Sequence, residues 1–142
     1  MANVIEDKDA IRELTARYCF LIDGKRYDEW ADLFTEDGAF EVSGLFRFEG
    51  RTAIRSFADG IPLNDRGLPG FKHCTMNQII DVAEDRATAQ CYFLLVQDGN
   101  PLRVDVAGRY EDVIVKRRGA WRFQSRTAYF DYHSLPLPPD ES

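Results

Sequence analysis

The second half of the chain consists of four unusually long apolar-rich segments, which constrain the fold more than any other feature. Short polar turns separate these segments. They span approximately residues 71–83, 86–97, 102–117 and 120–132. Each is longer than an ordinary strand of about five or six residues. Because long antiparallel strands twist and coil, the pattern predicts a strongly curved antiparallel sheet with a concave face.

The first helix is predicted near the N-terminus. Asn3 and Glu6 resemble a capping box, and the helical pattern ends at Asp23, where Gly24 is suited to a left-handed C-terminal cap. The apolar face of the helix contains residues spaced three and four apart: Ile11, Leu14, Tyr18, Leu21 and Ile22. This face can pack on the concave side of the sheet.

Two further helices and a short hairpin complete the first half. Apolar spacing predicts helices over 27–34 and 52–58, and alternation predicts strands at 40–42 and 46–48 around a tight turn. The product is an α+β fold in which the N-terminal helices cover the curved sheet and enclose an interior pocket.

The charge balance describes an acidic domain and disfavours several kinds of partner. The chain of 142 residues carries 24 acidic and 18 basic side chains, a formal net charge of −6. Nucleic acids and anionic membrane surfaces need a basic face, so we expect neither as a partner. One domain is expected over 1–134, followed by a flexible, proline-rich tail over 135–142.

Cysteine and histidine usage argues against a metal site. The three cysteines, at 19, 74 and 91, form no CxxC pair, and the chain has two histidines. No metal or organic cofactor is implied. Neither a secretory signal nor a membrane-spanning stretch is visible in the sequence. These features predict a cytoplasmic protein with free thiols.

Asp23 follows a mostly apolar run, and His73 lies on a strand face that begins polar and turns apolar. Asp23 ends a helix whose C-terminus carries partial negative charge. It is either a solvated residue of an Asp-Gly turn or a partly buried carboxylate that needs a hydrogen-bond donor. His73 is either a structural histidine or a general base suited to neutral pH. By alternation it shares one strand face with Phe71, Thr75, Asn77 and Ile79.

Other polar residues are ambiguous between core, solvent and pocket. Tyr18 lies on the apolar face of the first helix, where a buried hydroxyl needs a partner. Asp105 and Arg109 share a face with Ala107, and this face either enters the cavity or is solvated. Arg126 has the same two possibilities.

Three stretches of the chain resemble the SnoaL-like branch of the NTF2-like superfamily. They read AIRELTARYCFLIDGKRYDEWADLFTEDGAFEV, FKHCTMNQIIDVAEDRATAQCYF and GRYEDVIVKRRGAWRFQSR. The resemblance covers about residues 5–132 and implies an NTF2-like cone with an interior pocket. This fold hosts dehydratases, isomerases, cyclases, dehydrochlorinases and non-enzymatic modules, so it specifies function less closely than architecture.

Within the superfamily the pattern is nearest to scytalone dehydratase, the bile-acid 7α-dehydratase and hexachlorocyclohexane dehydrochlorinase. These enzymes use an Asp–His dyad, and Asp23 and His73 occupy its two positions. Tyr18 matches the helix tyrosine of the bile-acid enzyme. The resemblance therefore implies Asp23, His73 and Tyr18 as catalytic residues.

Further positions are expected to contact the substrate. Tyr27 stands where the family usually has tryptophan. Val42 and Ala107 stand about where scytalone dehydratase has a second tyrosine and a second histidine. Asp105 and Arg109 are candidates to position a substrate group. The expected aromatic pocket walls are Phe34, Phe40, Phe48, Phe57 and Phe93.

The function that this comparison implies is a cofactor-independent lyase acting on a small hydrophobic cyclic substrate. In this interpretation His73 removes a proton next to an activating group, Asp23 orients and charges His73, and Tyr18 donates a hydrogen bond. The alternatives are a ketone isomerase or polyketide cyclase on the same frame, or a non-catalytic binding or assembly module.

The sheet face opposite the pocket is predicted to be apolar. By alternation it carries Cys74, Met76, Gln78, Ile80, Tyr92, Leu94 and Val96. A large apolar patch on an exposed sheet face usually marks an interface. We therefore expect a homo-oligomer, either a dimer or a trimer.

Overall fold

The computed structural model describes residues 3–134 and has an α+β architecture. Three helices occur, at Val4–Asp23 (α1), Tyr27–Ala31 (α2) and Arg51–Ala58 (α3). Six strands follow the predicted order: Phe34–Val42 (β1), Phe46–Glu49 (β2), Phe71–Ala83 (β3), Arg86–Gln97 (β4), Arg103–Arg117 (β5) and Ala120–His133 (β6). The predicted tail over 135–142 lies outside the described residues.

The six strands form one curved, unclosed sheet in the order β2-β1-β6-β5-β4-β3. Neighbouring strands are antiparallel except for β1 and β6, which run parallel. The predicted α+β fold with a strongly curved sheet is confirmed, and the parallel pairing of β1 with β6 makes that sheet mixed rather than antiparallel throughout. The physical reason for this pairing lies in connectivity: β1 is separated from β6 by α3 and the three long strands, so no hairpin imposes an antiparallel pairing.

Helix α1 begins as expected and ends slightly differently. The Asn3 side chain accepts hydrogen bonds from the backbone N–H groups of Ile5 and Glu6, at 2.9 and 3.3 Å. Gly24 has φ −89°, so the predicted left-handed cap at this position is wrong. Lys25 has φ 61° instead. The reversal of the chain therefore falls one residue after the expected position.

Strand β1 begins earlier than the sequence pattern indicates. The predicted second helix reaches residue 34, but α2 ends at Ala31 and Phe34 is the first residue of β1. Phe34 pairs with Phe123 of β6, and a register shift follows before Ala39. Phe34 is fully buried, and a buried position fits both a helical and a strand pattern. The sequence pattern therefore could not distinguish the end of α2 from the start of β1.

A bulge in β3 reverses the alternation that the sequence predicts. Asn77 has φ 59°, and the pairing of β3 with β4 shifts between Met76 and Ile79. As a consequence Ile79 is 57% exposed whereas Ile80 is 4% exposed. The predicted placement of Ile79 on the pocket face, and of Gln78 and Ile80 on the opposite face, is therefore wrong.

Helix α1 packs across the concave side of the sheet, against β3. The core between them is rich in aromatic rings, including Tyr18, Trp30, Phe34 and Phe123. The Tyr18 ring meets each of the other three with centroid separations of 5.7, 6.4 and 6.0 Å. Among the helices of residues 3–134, none is both long and apolar enough to cross a membrane.

Candidate active site

Asp23 and His73 are hydrogen-bonded to each other at two points. Asp23 is the last residue of α1 and His73 is the third residue of β3. Nδ1 of His73 lies 2.7 Å from Oδ1 of Asp23, and the backbone N–H of His73 donates to Oδ2 at 2.9 Å. Both side chains are 12% exposed. The two contacts hold the imidazole ring in one orientation.

The position of Asp23 explains why it needs this partner. A helix C-terminus carries partial negative charge, and α1 has no basic residue in its last turn to offset a carboxylate. His73 supplies both a backbone and a side-chain donor. Because a carboxylate only accepts hydrogen bonds, Nδ1 carries the proton and Nε2 is left as a base.

A cavity of about 400 Å³ opens beside His73, between the helices and the concave face of the sheet. This volume suits a small organic molecule. Among its lining side chains only Tyr18, His73 and Tyr110 carry polar atoms. The full set is Tyr18, Ile22, Phe40, Val42, Leu45, Phe46, Phe57, Ile61, Phe71, His73, Phe93, Leu95, Tyr110, Ala128 and Phe130.

Tyr18 lies beside His73 on the cavity wall. It is 2% exposed, and its ring meets the His73 ring edge-on at 6.0 Å. Burial raises the pKa of Tyr18 to about 12, although Arg126 and a hydrogen bond with Tyr110 oppose this rise. Tyr18 is therefore a neutral hydrogen-bond donor at ordinary pH.

Most predicted aromatic walls line the cavity, and three predicted contacts do not. Phe40, Val42, Phe57 and Phe93 line it, together with His73 and Tyr18. Asp23 lies behind His73 rather than on the wall. The three residues one layer away are Tyr27, which packs beneath Arg55, Phe34, which packs on Phe123, and Phe48, which packs on Phe57.

The predicted placement of Asp105, Ala107 and Arg109 at the pocket is corrected by the structure. Asp105 is 3% exposed, and it accepts hydrogen bonds from Arg103 and Ser134 rather than facing the cavity. Because the pairing of β4 with β5 shifts between Leu95 and Val96, alternation fails beside Asp105.

Ala107 and Arg109 lie on the outer face of the sheet. Ala107 lines a shallow groove with Leu94 and Tyr132. The Arg109 guanidinium stacks on the Tyr129 ring at 4.1 Å and pairs with Asp131 at 3.0 Å. These residues therefore belong to the surface opposite the cavity.

Two residues of the site, Tyr110 and Asp112, were not identified from the sequence, and Arg126 was left undecided between cavity and solvent. Arg126 is 0% exposed, and its Nε and Nη2 donate to the Asp112 carboxylate at 2.9 and 3.2 Å. Tyr110 lies two residues before Asp112 and lines the cavity. Hairpin counting from the turn at 118–119 nearly pairs Asp112 with Arg126, but a register shift between Val113 and Ile114 hides the match.

The described residues contain no metal-binding cluster. Within residues 3–134, no three His, Cys, Asp or Glu side chains come close enough to hold an ion. Cys19 and Cys91 are buried free thiols and Cys74 is an exposed one. His73, Tyr18 and Tyr110 are the polar side chains among the described residues of the cavity wall.

Comparison with known proteins agrees with this architecture. The SnoaL-like domain family matches residues 3–127. SnoaL-like domains occur in polyketide cyclases and dehydratases. No curated protein matches the chain.

Solved structures resemble the chain over nearly its whole length. A function-unknown protein of Mycobacterium tuberculosis, Rv3472, solved as an Asp-to-Asn variant, has 31% identity and a TM-score of 0.80, over 90% of this chain and 78% of that one. An NTF2-like protein with a cystatin-like fold from Novosphingobium aromaticivorans has 27% identity and a TM-score of 0.81, over 98% and 86%.

A third structure carries an enzyme name. A protein of Novosphingobium aromaticivorans, provisionally named a scytalone dehydratase, has 27% identity and a TM-score of 0.79. The match covers 97% of this chain and 95% of that one. The predicted resemblance is thereby confirmed at the level of fold and family. On the family match and these structures together, the chain belongs to the SnoaL-like family of NTF2-like domains.

Proposed function

We propose that this chain is a cofactor-independent lyase that eliminates water from a small, hydrophobic, cyclic β-hydroxy ketone. One observation carries the proposal: His73 lines an apolar cavity of about 400 Å³ and is hydrogen-bonded to Asp23 behind it. Among the described residues that line the cavity, His73 is the one with an imidazole side chain, the usual general base of enzymes. A base of this kind is most effective near neutral pH.

His73 carries the proton through the whole reaction, from the substrate carbon to the leaving oxygen. Nε2 of His73 takes a proton from the carbon beside the carbonyl, and the C–H electron pair moves into an enolate. The enolate forms the carbon–carbon double bond and expels the β-hydroxyl group. Protonated His73 returns its proton to the departing oxygen, which leaves as water. Asp23 stabilises the charged imidazole between the two transfers.

The shape and composition of the cavity support a flat, apolar substrate. Six phenylalanine rings line the wall: Phe40, Phe46, Phe57, Phe71, Phe93 and Phe130. Such walls bind planar rings by dispersion and by area burial, and they exclude water from the reacting carbon. A low local dielectric strengthens every hydrogen bond made to a developing charge.

A ketone isomerase or polyketide cyclase is the second candidate for the same site. The observation that favours an isomerase is that one base suffices, because His73 can return the proton to another carbon of the same enolate. The lyase differs because its protonated base must also reach the leaving oxygen. A non-catalytic binding module is disfavoured, because the dyad faces an open apolar cavity rather than a filled core.

A substrate screen separates these activities. We expect turnover of one or more cyclic β-hydroxy ketones, followed by mass spectrometry, with loss of one water from the product. A product of unchanged mass would replace the lyase by an isomerase or cyclase. Absence of turnover across cyclic ketones with and without a β-hydroxyl group would instead favour the binding module.

We further propose that the chain forms a homo-oligomer through the outer face of the sheet. Four apolar side chains on β3 to β6 are 37–76% exposed there: Met76, Tyr92, Val104 and Tyr132. Contiguous apolar surface of this kind marks interfaces. Sedimentation at micromolar concentration should give a dimer or trimer, and Tyr92→Asp should shift the chain towards monomer. A wild-type monomer under these conditions would contradict the proposal.

The proposed location is a reducing compartment such as the cytoplasm. All three cysteines, Cys19, Cys74 and Cys91, are free thiols. Free thiols persist in such compartments, whereas secreted domains of this size commonly carry disulfides.

A further inference from the structure

Two tyrosine side chains from different elements meet at the wall of the cavity. Tyr18 comes from α1 and Tyr110 from β5, and each is 2% exposed. Their ring centroids lie 5.8 Å apart in an edge-to-face arrangement. Both residues line the cavity. Because both side chains line the same cavity and their rings are in contact, one ligand can reach both of them.

A buried cation lies directly beneath this pair. The Arg126 guanidinium carbon is 3.7 Å from the Tyr110 ring centroid and 4.3 Å from the Tyr18 ring centroid. Asp112 accepts from its Nε and Nη2, whereas Nη1 is buried with no hydrogen-bond partner. The positive charge is thus oriented towards the two rings. It favours negative charge on an oxygen held by their hydroxyls.

Both hydroxyls keep their protons at ordinary pH. Burial raises the pKa of Tyr18 to about 12, and burial raises the pKa of Tyr110 well above its usual value of 10.0. Groups with such pKa values are poor acids towards a leaving group. They are effective as fixed donors that stabilise an oxyanion without giving up the proton.

Packing holds the Tyr110 ring in place without using its hydroxyl. The ring stacks on Phe93 with a centroid separation of 4.3 Å and an interplanar angle of 18°. The Arg126 guanidinium covers the other face of the Tyr110 ring. Replacement by phenylalanine therefore removes the oxygen atom and leaves the ring contacts available, which makes the hydroxyl separately testable.

We propose that Tyr110 is a further catalytic residue, which together with Tyr18 donates a hydrogen bond to the substrate carbonyl oxygen as that oxygen becomes an enolate. The inference rests on the proposed function, because His73 creates the enolate. It specifies the substrate as one with a carbonyl group at the Tyr18–Tyr110 end of the cavity. A substrate that has a leaving group but no carbonyl group would form no enolate oxygen for Tyr18 and Tyr110 to bind.

The test uses 4-nitrophenol, whose ionised form resembles a planar enolate and absorbs visible light. The wild-type chain should bind the phenolate form more tightly than 4-nitrotoluene, which has the same shape without the oxygen. Tyr110→Phe should weaken phenolate binding by about 10-fold, the value of one hydrogen bond to a charged group. Binding of 4-nitrotoluene should stay within about 2-fold. Tyr129→Phe, on the outer face beside Arg109, is the matched control and should change neither affinity.

Three results would overturn the inference. One is equal phenolate affinity in the wild type and Tyr110→Phe. Another is equal loss of both probes in Tyr110→Phe, which assigns the tyrosine a packing role. The third is a wild-type chain with no preference for the phenolate. Measuring the same affinities in a His73→Ala background separates this proposal from the lyase, because phenolate binding needs the donors and not the base.

Discussion

His73→Ala is expected to lower kcat by about 10²- to 10⁴-fold on the ketone identified by the screen, which is the usual contribution of a general base. The variant should fold normally, because Asp23 keeps the backbone N–H at position 73 as a donor. Steady-state kinetics gives the rate, and circular dichroism with thermal unfolding verifies the fold. Asp23→Asn should lower kcat in the same direction, since an amide cannot stabilise the charged imidazole.

His133→Ala is the matched control for this experiment. His133 is the last residue of β6 and is exposed, so the same chemical change is made outside the cavity. We expect wild-type kcat in this variant. Undiminished turnover in His73→Ala, with the fold intact, would exclude the dyad as the source of activity and with it the proposed lyase mechanism.

Asp112→Ala is expected to reduce the free energy of unfolding by about 3–5 kcal/mol, the cost of leaving a buried charge without its partner. Both side chains of the Asp112–Arg126 pair are 0% exposed, and Arg126 is enclosed by three aromatic rings. Burial alone would lower the pKa of Arg126, but Asp112 and the tyrosines outweigh that effect, so the guanidinium stays charged. Urea denaturation measures the loss.

A surface pair in the same two strands supplies the control. Arg109 and Asp131 also join β5 to β6, at 3.0 Å, but their side chains are 36% and 41% exposed. Asp131→Ala should therefore cost about 1 kcal/mol or less. If Asp112→Ala reduced the free energy of unfolding no more than Asp131→Ala does, the buried Asp112–Arg126 pair would not stabilise the fold more than a surface pair.

A double replacement tests whether the cost comes from the unpaired charge. Asp112→Leu combined with Arg126→Met removes both charges and keeps most of the volume. Apolar replacements of whole buried ion pairs are often neutral or stabilising, so the double variant should regain most of the stability lost in Asp112→Ala. Failure to regain it would point to lost packing against Tyr18 and Tyr110 instead of charge burial.

The dyad could be predicted because each partner violated a local rule. A carboxylate that ends a helix after an apolar run, and a histidine on a strand face that also carries Phe71, are both visible without coordinates. The resemblance to known dehydratases then related Asp23 to His73. Their spacing of 50 residues carries no such information by itself, since helix and strand meet only through packing.

The wrong assignments of side chains to one face of the sheet or the other occur near bulges. Alternation predicted the wrong face for Ile79 and Ile80, because Asn77 adds a residue to β3. It also left Asp105 and Arg126 undecided, because β5 changes register with both of its neighbours. A bulge moves every following side chain to the opposite face, and its position depends on the partner strand, which a single segment does not reveal.

The sequence by itself determined the helices, the four long strands, the turns between them and the acidic residue and histidine that form the dyad. These features depend on interactions within a few residues along the chain, which local periodicity and turn chemistry report. Only the tertiary structure decided that β1 pairs parallel with β6, that Tyr110 lines the cavity with Arg126 behind its ring, and that Arg109 lies on the outer face. Those outcomes depend on strand register and on the burial of charge between distant segments, and both are properties of the assembled sheet.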